Sequence, residues 1–109
     1  MQKDERIIPE LLAAIEGRKA GDPMTSYTAR LYAKGVHKIA QKVGEEAVET
    51  AVAAVAESNE RLARESADLL YHLLVLWSAK GIAPGDVWAE LDRRFGTAGA
   101  AIKETRKKG

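Results

Sequence analysis

A chain of 109 residues, 46% hydrophobic and 30% charged with a net charge of +1, has the size and composition of one globular domain. The absence of cysteine removes disulfide scaffolds, thiol catalysis and cysteine-ligated zinc. No apolar run reaches the roughly eighteen residues that a membrane span needs. The opening MQKDERIIPE lacks the apolar stretch of an export signal, so a cytoplasmic protein with no membrane partner is expected.

Apolar residues recur with the 3.6-residue period, and no segment alternates like a strand. The spacing predicts helices at roughly 4–19, 26–34, 36–57, 59–80 and 85–95, with a weaker helical turn near 99–106. Pro9 falls about one turn into the first, which allows a later start. Ser26 or Thr25 can cap the second helix, and Ser58 or Asn59 the fourth. Lys80-Gly81 is a stop signal, and Pro84 with Asp86 can open the fifth. No interior linker divides the chain, so residues 1–109 read as a single domain with a core of about 4–95 and a tail at 96–109. The expected fold class is all-α, a helical bundle built on two long antiparallel helices.

Charge is unevenly spread, at +2 over residues 1–41, −4 over 42–68 and +3 over 69–109. An acidic middle between basic ends suits a cation site serving an anionic substrate. Chance scatter among solvated side chains would look the same.

Where the acids sit is more informative. At about 100° per residue, Glu49 falls about 60° from Glu46, on the face that also carries Ile39, Val43 and Ala53. On the fourth helix Asp68 falls about 60° from Glu65, in the sector of Leu62, Leu69, His72 and Leu76. Two carboxylate pairs therefore interrupt stripes that otherwise read as packing surface. If the stripes face each other, desolvation and like-charge repulsion make the arrangement unfavourable unless a cation resolves it. Hard oxygen donors without a cysteine or histidine cluster point to Mg²⁺, with Mn²⁺ as a substitute, over zinc. Helix acids that simply face solvent are the other reading of the same spacing.

KVGEEAVET (42–50) followed by ESADLLYHLLVLW (65–77) resembles the MazG-like all-α nucleotide pyrophosphohydrolase superfamily, whose pattern is Glu-x-x-Glu, a spacer and Glu-x-x-Asp. SYTARLYAKG (26–35) and GDVWAELDRRFG (85–96) narrow the similarity to the phosphoribosyl-ATP pyrophosphatases of histidine biosynthesis, over roughly residues 4–106. The resemblance implies a tightly associated helical homodimer with its active site near the interface. It also implies Mg²⁺-dependent hydrolysis of the α–β phosphoanhydride of phosphoribosyl-ATP, giving phosphoribosyl-AMP and pyrophosphate. The ending GTAGAAIKETRKKG departs from the family's Ser-Gly pair and Lys-Ala-Ser-Arg-like run, which puts substrate contacts by the tail in doubt.

On this reading Glu46, Glu49, Glu65 and Asp68 are metal ligands, and Glu45, Glu46 and Glu49 are the candidate catalytic carboxylates. Glu45 lies about 100° round from Glu46 and either serves a second ion, acts as base or is merely solvated. Lys42 and Arg94 are the favoured phosphate contacts, although Lys42 can instead pair with Glu46 along the helix. Ser26, Tyr27 and Thr28 at a helix start suit phosphate or ribose contact, with Ser26 and Thr28 the favoured pair; capping explains Ser26 as well. His72, one turn beyond Asp68, is read as donating to that carboxylate, with a core histidine as the alternative. Tyr71, Trp77 and Trp88 can stack on adenine, but aromatic residues at helical spacing serve packing or a dimer interface at least as well, and none is assigned to substrate.

A house-cleaning hydrolase of dNTPs would share the acidic quartet. A non-catalytic helical dimer joined through Trp77, Trp88 and LLYHLLVLW would need none of it. The four basic residues of the tail lack interleaved aromatics, so no nucleic-acid partner is expected.

Overall fold

A computed structural model describes residues 4–95, and among these residues the regular secondary structure is all helix. Five helices follow in order: α1 (Ile7–Gly17), α2 (Tyr27–Lys34), α3 (Val36–Ala56), α4 (Asn59–Lys80) and α5 (Pro84–Phe95). The helical turn expected near 99–106 lies outside the described residues.

Helix α1 is shorter than the 4–19 of the sequence reading, for local reasons. The Asp4 carboxylate accepts the Arg6 backbone N–H at 3.0 Å, and the Asp4 carbonyl accepts that of Ile7 at 3.0 Å, which makes a turn before the helix. Pro9 then stands third in α1, where no intrahelical N–H is required. Elsewhere the caps are the residues expected. Ser26 Oγ accepts from Ala29 N–H at 3.1 Å, and Ser58 Oγ from Arg61 N–H at 3.1 Å. Gly81 closes α4 with a left-handed φ of 75°, and Asp86 reaches back to the Ala83 N–H at 3.0 Å to open α5.

Helices α3 and α4, of 21 and 22 residues, form an antiparallel hairpin and the largest helix–helix contact. Helix α2 packs on α3, and α1 on α4. The core gathers at the end of the hairpin farther from its turn, where Ile15, Leu31, Ile39, Leu74 and Val75 are buried, flanked by Leu11, Tyr32 and Trp77. A polar thread joins three helices there. Tyr32 Oη donates to Ser78 Oγ, and Ser78 donates to a Glu16 carboxylate oxygen. Ser78 is itself buried, so these bonds replace the water it has lost.

The hairpin is less well covered toward its turn. Val48, Val52 and Val55 line an exposed side of α3, and Leu70 is exposed on α4. Helix α5 buries no residue; Trp88 meets Trp77 edge-on, with ring centroids 6.1 Å apart. The hairpin's inner face in this thinly covered half carries the acids.

Candidate active site

Of the three apolar residues expected on one face of α3, Ile39 and Ala53 are buried and Val43 is half-buried, while Glu46 is buried between Ile39 and Ala53 at 8% exposure. On α4 the buried counterpart is Glu65, at 5%. Glu49 and Asp68, each offset around its helix, stand exposed on the rim. Each helix thus offers one buried and one exposed carboxylate.

Glu46, Glu49 and Glu65 each bring a carboxylate oxygen to within 4.8 Å of the others. Asp68 lies outside that triple, yet its charge acts on Glu46. The Glu46 carboxyl titrates above its ordinary value, first because burial penalises its charged form and then because Glu49 and Asp68 repel it; His72 and Lys42 oppose the shift.

Hydrogen bonding leaves a gap. Glu65 Oε2 accepts from Arg61 Nη2 at 3.0 Å, but Glu65 Oε1 and Glu46 Oε2 are buried with no hydrogen-bond partner among the described residues. Orphaned buried acceptors are costly in any fold, and here they are anionic and clustered. An oxygen-only donor set with unfilled lone pairs fits a hard divalent cation. Nearby, Thr50 Oγ1 lies 2.7 Å from the Glu46 carbonyl and 3.2 Å from the Glu65 carbonyl, binding the two helices at the level of the acids. A cavity of about 150 Å³ opens there, lined by Glu49, Val52, Glu57, Arg61 and Glu65.

The remaining candidates divide. Glu45 lies outside the triple and is held by Gln41 at 2.8 Å and Lys42 at 3.4 Å; the Gln41 hydrogen bond, then Lys42, keeps its carboxyl below the usual range. Lys42 therefore pairs with Glu45, not with Glu46 as its spacing allowed. Burial would lower the Lys42 ammonium, but Tyr27, Glu45 and Glu46 together push it up. Thr28 is buried and its hydroxyl is hydrogen-bonded to Tyr71 Oη, so it faces the interior, not a substrate. Ser26 spends its oxygen on the α2 cap. Arg94 pairs with Glu90 at 2.7 Å within α5, and Arg93 joins the same carboxylate.

His72 is buried but does not donate to the Asp68 carboxylate. Nδ1 lies 2.8 Å from the Asp68 main-chain oxygen, and Nε2 lies 2.8 Å from Tyr27 Oη. Helical side chains lean toward the preceding turn, which brings the ring to its own helix's carbonyl at i−4. One residue at this site was missed in the sequence. Arg61 clamps Glu65 and also reaches Glu57 at 3.4 Å, and its only signal was charge spacing along α4. The pairing of Tyr27 with His72 left no periodic signal, because the two are 45 residues apart.

Residues 8–95 match the family model described as phosphoribosyl-ATP pyrophosphohydrolase. The chain belongs to that family. Among its relatives in the pyrophosphohydrolase family, a phosphoribosyl-ATP pyrophosphatase of Paramagnetospirillum magneticum is 56% identical over 108 residues, 99% of each chain. Another, of Rhodospirillum rubrum, is 57% identical over 102 residues, covering 94% of this chain and 87% of its own. A third, of Pyrobaculum calidifontis, is 66% identical over 77 residues, 71% of this chain and 81% of that one. The matched span of the pyrophosphohydrolase family holds both acidic pairs, Arg61 and His72.

Proposed function

We propose that the groove between α3 and α4 hydrolyses the α–β phosphoanhydride of phosphoribosyl-ATP to phosphoribosyl-AMP and pyrophosphate, the second step of histidine biosynthesis. The observation that carries the reading is the pair of buried, unpartnered oxygens on Glu46 and Glu65, in a chain whose relatives bear this enzyme's name. Glu46, Glu49, Glu65 and Asp68 would hold Mg²⁺, or Mn²⁺ in its stead. When bound, such an ion supplies neutralisation of phosphate charge and a lowered pKa for the attacking water.

The chain's own groups supply the rest. Glu49 is exposed beside the triple, so its free oxygen can take the proton that water releases. Glu45, held low by Gln41 and Lys42, is the poorer base. Lys42 and Arg61 put cationic heads beside the groove, where an anionic leaving group must be steadied. Val52 lines the groove as an apolar wall.

The same reading makes the protein a cytoplasmic homodimer. Its support is the exposed stripe Val48, Val52 and Val55, spaced i, i+4 and i+7 with Val55 86% exposed, which a second copy would cover. No helix among the described residues is long and apolar enough to cross a membrane.

The test is pyrophosphate release from phosphoribosyl-ATP with Mg²⁺ present or chelated, beside ATP and a dNTP panel. Fast, chelator-sensitive release from phosphoribosyl-ATP alone is expected. Release from dNTPs instead would keep the cation site and discard the substrate.

A further inference from the structure

Tyr27 opens α2 and lies where the core meets the acidic groove. Its ring stacks on Tyr71 with centroids 6.2 Å apart, meets His72 edge-on at 5.8 Å, and carries the Arg30 guanidinium over its face at 5.6 Å. Its hydroxyl contacts His72 Nε2 at 2.8 Å, while His72 Nδ1 contacts the Asp68 carbonyl at 2.8 Å. A carbonyl can only accept, so Nδ1 carries the proton. In the neutral ring Nε2 is then the acceptor, and Tyr27 donates to it. The sequence Tyr27 O–H to His72 to Asp68 C=O runs in one direction, from α2 to the turn of α4 that bears an acid of the groove.

We propose that Tyr27 is a positioning residue for the cation site: through His72 it fixes the rotation of α4 at Asp68. Without the Tyr27 hydroxyl, the buried ring has an empty acceptor at Nε2 and gains by turning toward another donor, which releases the Asp68 carbonyl. Asp68 is exposed, and its side chain makes no hydrogen bond among the described residues, so its orientation depends on the backbone beneath it. Tyr32 offers an internal comparison. It joins α2 to α4 in the same way, hydroxyl to Ser78, but at the core end of the hairpin. Removing either hydroxyl loosens α2 on α4, whereas only Tyr27 acts on the acidic turn.

This inference rests on the cation reading above, and the experiment separates the two. Mg²⁺ and Mn²⁺ are titrated calorimetrically, without substrate, into the wild-type protein, Tyr27→Phe and Tyr32→Phe, with thermal melts of each in chelator. Tyr27→Phe should bind about tenfold more weakly, the lower end of what loss of a ligand's supporting partner costs. Tyr32→Phe should melt lower yet bind within about twofold of wild type, since its bond lies outside the acidic turn. Equal affinity in Tyr27→Phe and wild type overturns the positioning role alone, as does equal weakening in both variants. No binding to the wild-type protein overturns the cation reading and this inference with it. A second measurement needs no variant: ¹⁵N NMR of His72 should show the ring proton on Nδ1, and a proton on Nε2 would exclude the relay.

Discussion

Glu46 of α3 and Glu65 of α4 meet across the hairpin as two buried carboxylates, each with one oxygen that no described residue satisfies. Such a pair destabilises the fold that contains it, and on the proposed reading a bound cation would relieve the cost. If these acids serve the proposed cation site, stability and function oppose each other at both positions, and the opposition is measurable.

Replacing Glu46 with its neutral isostere should stabilise the cation-free protein. Glu46→Gln removes one charge from the cluster and offers an amide donor to the facing Glu65 oxygen. In chelator the melting temperature should rise by about 4–8 °C, equivalent to about 1 kcal/mol for a domain this size. The stabilisation by Mg²⁺ and the turnover should both be lost. The sign of the pH dependence follows from the raised folded pKa of Glu46. Its contribution is most favourable below the ordinary value of 4.5 and is lost as pH rises through the folded value. The gap between variant and wild type should thus be small near pH 4 and widen toward pH 7. A gap that narrows with rising pH would contradict the assignment.

Ser78 should behave in the opposite way. Ser78→Ala breaks the thread from Tyr32 to Glu16 and should cost about 1–2 kcal/mol, with turnover at 25 °C unchanged. The Ser78 hydrogen bond, followed by Lys19, holds the Glu16 carboxyl below its ordinary value of 4.5. The stability gained from a lowered pKa is present above the unfolded value and disappears as pH falls through the folded one. Denaturant melts at pH 7 and at pH 3 should show the cost of the substitution shrinking in acid.

The helices and their caps were legible in the sequence because both are local. The angular reading of α3 placed Ile39, Glu46 and Ala53 on one face, and all three are buried. The same angles do not say which member of an acidic pair stays on the rim, since that depends on where the neighbouring helix stops covering it. Tyr27 with His72, Thr28 with Tyr71 and Ser78 with Glu16 join residues 45, 43 and 62 positions apart, and no periodicity encodes such pairings. Thr28 shows the consequence. Read as a hydroxyl at a helix start it suits phosphate, and only the packing of α2 on the hairpin shows that it faces inward.

Two glycines separate backbone strain from packing. Gly35, between α2 and α3, has φ 92° and ψ 173°, a region that is essentially glycine's alone, whereas Gly81 has φ 75° and ψ 22°. A Cβ at either would meet nothing within 4 Å, so any penalty lies in the backbone. Gly35→Ala should cost about 1–3 kcal/mol. Gly81→Ala should cost about 1–2 kcal/mol. Asparagine should rescue position 81, where left-handed helical geometry tolerates it, and fail at position 35. Equal recovery at both positions in chemical melts would refute the distinction.

The exposed acids call for a different expectation from the buried ones. Glu49 and Asp68 lie on the rim, so Glu49→Ala and Asp68→Ala relieve little desolvation, and exposed substitutions seldom move stability by more than about 0.5 kcal/mol. In chelator both variants should keep the helical circular-dichroism signal and melt close to wild type, unlike Glu46→Gln. Yet both remove an oxygen that the cation reading requires, so Mg²⁺-dependent pyrophosphate release should fall at least about a hundredfold, beyond the usual cost of losing a ligand's hydrogen-bond partner. Asp68 is the sharper case, because it stands outside the triple formed by Glu46, Glu49 and Glu65. Near-normal turnover in Asp68→Ala, with loss in Glu49→Ala, would reduce the ligand set to those three glutamates. It would leave Asp68 only its repulsion of Glu46. Near-normal turnover in both would remove the rim acids from the mechanism and with them the four-carboxylate site.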